Sequence, residues 1–138
     1  MAEAGEGIED DHSIPDNLRM LRRIPPDWIK DFRPGSDNFL QRKAKDGKGL
    51  SVTAWVVAGD LNNVSSEAPN FGVVSVTAGE LRAADYKVTK APLDGNPNHC
   101  ECYGAPSRSK RKQLSRQARW VLPPAAHDPA HYGELLEF

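Results

Sequence analysis

The chain has 138 residues, a net charge of −1 and 27% charged residues, the proportions of one ordinary globular domain with one core. Its longest apolar run, Ala54 to Ala58, falls far short of the roughly 20 residues of a membrane helix. The first eleven residues carry Glu3, Glu6, Glu9, Asp10 and Asp11 where a secretory signal would carry positive charge and then an apolar stretch, so the expectation is a cytoplasmic protein.

Residues 1–13 are acidic and almost without apolar side chains, which predicts a disordered arm ahead of a single domain over 14–138. Leu18 to Ile24 reads as a strand or a single helical turn, ended by Pro25-Pro26. Residues 27–49 read as an irregular crossing loop anchored by Trp28, Ile29, Phe32 and Phe39. Turn signals stand at Arg33-Pro34-Gly35-Ser36 and Asp46-Gly47-Lys48-Gly49. Leu50 to Ala58 is rich in β-formers and alternates, with Leu50, Val52, Ala54 and Val56 on one face. Asp60 to Asn70 reads as a polar loop and Phe71 to Val76 as a second strand. Thr77 and Glu80 have capping-box spacing, which predicts a helix over 78–85 with Leu81 and Ala84 inward.

Tyr86 to Lys90 and His99 to Tyr103 read as strands on either side of the turn Asp94-Gly95-Asn96-Pro97. Ser107 then caps a basic helix over about 107–121, with Leu114, Ala118 and Val121 as its apolar stripe and Pro123-Pro124 as its stop. Asp128 followed by Pro129 predicts a last short helix, docked by Leu135, Leu136 and Phe138. Four or five short strands with two or three helices, not strictly alternating, predict an α+β domain with a short mixed or antiparallel sheet.

Chemistry can be sought in four places. The basic helix carries Arg108, Lys110, Arg111, Lys112, Arg116 and Arg119, and no Asp or Glu occurs from Gly104 to Ala126. Taking those six cations from the total of −1 leaves about −7 on the rest of the chain. Such a cluster attracts phosphates or acidic side chains, so nucleic acid or an acidic protein is one expected partner. The bland alternative is a solvated helix face that offsets the acidic remainder of the chain.

The strand around Cys100 sends His99, Glu101 and Tyr103 to one face and both thiols to the other. An imidazole, a carboxylate and a phenol in a row suit acid–base chemistry; an ordinary half-exposed strand with buried thiols is the alternative. Cys100 and Cys102 are too close along a strand for an unstrained disulfide, which predicts reduced thiols in a reducing compartment.

His99, Cys100, Cys102, His127 and His131 are metal-ligand types. Cys-x-Cys is unusual for zinc, and Pro129 interrupts the two later histidines, so neither metal nor cofactor is expected. The loop from Arg33 to Phe39 offers a guanidinium and a Gly-containing turn, so Arg33 and Ser36 join His99 and Glu101 as candidate catalytic residues on a phosphate-bearing substrate. No Walker motif, nucleophile elbow or dinucleotide fingerprint is present.

The order Arg22-Arg23-Ile24, Arg33 to Phe39, Gly49-Leu50-Ser51-Val52, Ala78 to Arg82, Gly95 to His99 and Ala118-Arg119-Trp120-Val121 resembles a family of small uncharacterised bacterial proteins. The resemblance spans about residues 18 to 123. It implies a bacterial cytosolic protein and brings no activity, cofactor or partner. Arg22 or Arg23, Ser51 and Glu101 also occur in the order of the Arg, Ser and Glu of ADP-ribosyltransferase-type toxins. The aromatic-flanked glutamate loop of many such enzymes is missing here. The leading expectation is a binding or adaptor module that meets an anionic partner through the basic helix. Its rival is a small enzyme, ADP-ribosyltransferase-like or acting on a phosphodiester.

Overall fold

The computed structural model describes residues 7–41, 49–66 and 68–138. In chain order the described elements are β1 (Arg19–Ile24), β2 (Ile29–Lys30), β3 (Arg33–Pro34), β4 (Leu50–Ala54), α1 (Asp60–Ser65), β5 (Gly72–Thr77), α2 (Ala78–Ala83), β6 (Lys87–Lys90), β7 (His99–Tyr103), α3 (Arg108–Gln117) and β8 (Arg119–Leu122). Single 3-10 turns lie at Pro26–Trp28, Ser36–Phe39 and Pro129–Tyr132. Six strands form one sheet in the order β6-β7-β4-β1-β5-β8, and β2 and β3 form a separate hairpin. Every neighbouring pair is antiparallel, which makes this an α+β domain.

Alternation along the strands divides the sheet into two unlike faces. Met20, Val52, Val76, Val88, Cys100 and Cys102 point to the first, where Leu81 of α2, Leu114 of α3 and Phe39 close the main core. The register aligns these residues: Val52 stands opposite Cys100, Leu50 opposite Cys102, and Met20 opposite both Ala54 and Val76. The second face carries a smaller cluster, Leu21, Val73 and Val121, covered by Trp55 and by Val64 of α1.

Local signals act as their chemistry implies. Thr77 and Glu80 form both bonds of a capping box at the start of α2. The Ser107 hydroxyl accepts the Lys110 amide at 3.2 Å, and Asp128 accepts the Ala130 amide at 3.0 Å at the last 3-10 turn.

The structure departs from the sequence reading in several places. The strand expected to reach Ala58 stops at Ala54, because the buried Asp60 carboxylate accepts the amides of Val56 and Val57, each at 2.9 Å, and turns the chain into α1. The polar loop expected from Asp60 therefore contains a helix. The basic helix ends at Gln117 rather than near 121. Its expected stripe is broken: Leu114 and Ala118 belong to the main core, whereas Val121 lies in β8 and packs on the opposite face. Here tertiary pairing with β5 overrides helical periodicity.

The arm expected over 1–13 is docked where the structure describes its later residues. Asp10 accepts the Val88 amide at 2.8 Å and Arg82 Nε at 3.1 Å, and the Asp11 amide donates to the Val88 carbonyl at 2.9 Å. Acidic side chains that lack apolar surface are thus held by charge-assisted bonds instead. The turn signal at Asp46 to Lys48 lies outside the described residues.

Candidate functional site

A close backbone approach places the start of α3. A Cβ on Gly104 would stand 2.4 Å from the Asp85 carbonyl oxygen, so only glycine lets the chain pass the end of α2 there. The Gly104 amide also donates to Gln41 Oε1 at 2.7 Å. From Ser107 the helix buries Leu114 against the sheet and turns its other side to solvent.

The six cations of this region divide into two groups. Lys110 donates to Asp85 at 2.6 Å. Arg111 lies mostly buried, donates to the Pro106 carbonyl at 2.9 Å and stands 3.9 Å from Asp37. By contrast Arg108, Lys112 and Arg116 are exposed. At four-residue spacing they fall within about 80° of one another and rise over about 12 Å. Arg119 is exposed on the edge strand β8. No carboxylate among the described residues pairs with any of these four.

Arg33 sits at the opposite end of the helix from Ser107. Its Nη2 donates to the carbonyls of Ser115, Arg116 (3.1 Å) and Ala118 (2.6 Å), the unpaired acceptors of a helix C-terminus. Burial lowers its pKa. The side chain expected to grip an anion is therefore occupied as a helix cap. Ser36 opens the 3-10 turn that packs beside α3.

His99 and Glu101 lie elsewhere, on the second face of the sheet. His99 is nearly buried and its Nδ1 is 2.9 Å from the Ala91 carbonyl. A carbonyl only accepts, so the proton of the neutral ring resides on Nδ1 and Nε2 keeps a lone pair. His99 lines an open cleft of about 280 Å³ with Arg23, Ser51, Thr53, Asn63 and Asn96. Register places Thr53 opposite His99 and Ser51 opposite Glu101, and Asn96 Nδ2 donates to Thr53 Oγ1 at 3.1 Å. Glu101 is not among the residues that line the cleft; it accepts the Tyr103 hydroxyl at 3.1 Å. Burial, then this bond, raises the Tyr103 pKa. Arg33, Ser36, His99 and Glu101 thus do not form one site. Asn63 carried no signal in the sequence, and Asn96 was legible there only as part of a turn, not as a cleft residue.

Cys100 and Cys102 are both free and buried, and burial raises both thiols. His127 Nδ1 is paired with the Tyr132 hydroxyl, and the His131 ring stacks on Phe32. Among the described residues no group of three or more His, Cys, Asp or Glu is placed to hold a metal ion, and no helix is long and apolar enough to cross a membrane. Trp120, the aromatic nearest the basic segment in sequence, is buried. The exposed rings near the end of α3 are those of Phe32 and His131, which the sequence reading did not connect with the helix.

Comparison with known proteins returned no matching family, no matching curated protein and no matching solved structure.

Proposed function

We propose that the protein is a binding module that takes an anionic macromolecule on the outer face of α3. The observation that carries this is the division of the cations. Lys110 and Arg111 are engaged with Asp85, Asp37 and the Pro106 carbonyl, while Arg108, Lys112 and Arg116 form one exposed stripe with no carboxylate partner among the described residues. The resemblance to small bacterial proteins and the two buried, unpaired thiols support a bacterial cytoplasmic setting. One form of the enzymatic alternative, on a phosphodiester, needed Arg33, Ser36, His99 and Glu101 around one substrate. The capping role of Arg33 argues against it.

The test is a titration against heparin and oligonucleotides at 50 and 200 mM salt. Three phosphate contacts predict a loss of about 20- to 40-fold in affinity over that range. Arg108, Lys112 and Arg116 changed together to Gln should abolish most binding. The melting curve should stay within about 0.5 kcal/mol of wild type, because the three side chains are exposed and Gln suits a helix. Salt-independent binding, or none, removes the proposal. Arg111 is kept, because its replacement would also disturb contacts inside the fold.

A further inference from the structure

The hairpin of β2 and β3 ends in a two-residue turn, Asp31-Phe32, with φ of 52° and 60°. Both residues are left-handed, the conformation of a type I′ turn that favours Asn and Gly. A bulky side chain is rarely held there. The Phe32 backbone is nevertheless fixed: Trp120 Nε1 donates to its carbonyl at 2.8 Å. The ring is nearly half exposed, at 47%. It lies almost parallel to the His131 ring, with centroids 5.1 Å apart and planes 13° from parallel, and Tyr132 meets it edge-on at 5.5 Å.

This ring pair lies at the C-terminal end of α3, the end that carries Arg116. Phe32 directly precedes Arg33, whose guanidinium is seated on the last carbonyls of α3. Ser115 donates to the Pro34 carbonyl, and on the helix wheel Ser115 lies about 20° from Arg108 and about 60° from Lys112. Arg116, at the same level of the helix, lies about 100° from Ser115, so the hairpin stands to one side of the stripe at the C-terminal end of α3. An acidic peptide without aromatic or other flat side chains has carboxylates for the cations and nothing to stack on an exposed ring pair. Duplex DNA hides its base faces. A single strand has both phosphates for the stripe and bare base faces for the rings.

We infer that the partner of α3 is single-stranded nucleic acid, with Arg108, Lys112 and Arg116 along its phosphates and a base stacked on the Phe32–His131 pair. This inference rests on the anion-binding reading of the helix.

The experiment compares three fluorescent probes by anisotropy at low salt: a 15-mer of deoxythymidine, an abasic 15-mer with the same phosphates, and a poly-glutamate peptide. The thymidine 15-mer should bind about 5- to 100-fold tighter than the abasic strand. Phe32→Asn should close that gap and leave abasic binding unchanged, since Asn tolerates the left-handed turn. His131→Ala should narrow the gap independently, which keeps the test decisive if Phe32→Asn lowers the melting temperature. Arg108, Lys112 and Arg116 changed to Gln should weaken both strands. Equal affinity for the two strands, or poly-glutamate bound as tightly as thymidine, overturns the single-strand inference and leaves the cationic stripe standing. No binding to any of the three overturns both.

Discussion

The two faces of the six-stranded sheet use the same alternation to different ends. On the first, apolar residues from all six strands meet α2, α3 and the turn at Phe39 in a continuous core. On the second, five buried side chains gather around α1, and beside them the strands present Arg23, Ser51, Thr53 and His99 to an open cleft. A short helix covers only part of a sheet, so polar residues take the positions it leaves. Apolar burial is greatest on the face where Leu114 and Ala118 seat α3, and the outer side of that same helix carries the exposed cations.

Truncation on each face measures this difference. Leu114→Ala should cost about 2–5 kcal/mol, since the side chain is wholly buried beneath α3. Val64→Ala on the second face removes less apolar surface from a smaller cluster and should cost about 1–2 kcal/mol. Urea unfolding of both variants checks the order. Equal costs would mean that the second face is as well packed as the first.

The docked arm tests a third region, the end of the sheet at β6. Asp10→Ala should destabilise by about 1.5–3 kcal/mol, because its partner Arg82 then keeps fewer charge-assisted bonds. Burial raises the Asp10 pKa, but the Val88 amide and Arg82 outweigh it, and the folded value lies below the ordinary 3.8. A carboxylate with a depressed folded pKa stabilises fully above its unfolded value and loses that contribution as pH falls through the folded one. Wild type and variant should therefore differ most above the ordinary carboxylate value of 3.8 and converge as pH falls below the lowered folded value. A difference that persists in acid would assign the loss to packing rather than charge.

The smallest effect belongs to the cap that joins β5 to α2. Thr77→Ala removes the hydroxyl that accepts the Glu80 amide at 3.0 Å and should cost about 1 kcal/mol. Thr77→Ser, which keeps the oxygen, should restore most of it. A thermal melt of the pair separates the hydrogen bond from the lost methyl.

What the sequence exposed was local. The capping box at Thr77, the Ser107 and Asp128 caps and the alternation of His99–Tyr103 each depend on residues within three or four positions of one another. Composition was equally direct: the cations of the basic segment and the absence of acids among them can be counted without a fold. The candidate site was legible only as this list of cations. Neither their separation into engaged and exposed groups nor the ring pair beside them has a signature in sequence.

Tertiary structure decided everything that depends on partners far along the chain. Leu114, Ala118 and Val121 have perfectly good helical spacing, yet β5 offers a row of backbone donors and acceptors that draws Arg119–Leu122 into a strand. Arg33 looks like an anion ligand until the carbonyls of Ser115, Arg116 and Ala118, more than eighty residues away, are brought to it. Asp10 looks like part of a solvated arm until Arg82 and the Val88 amide meet it. The physical reason is common to all three. A helix terminus, a strand edge and a buried guanidinium must each find partners once water is excluded, and the fold supplies the nearest ones in space, wherever they stand in sequence.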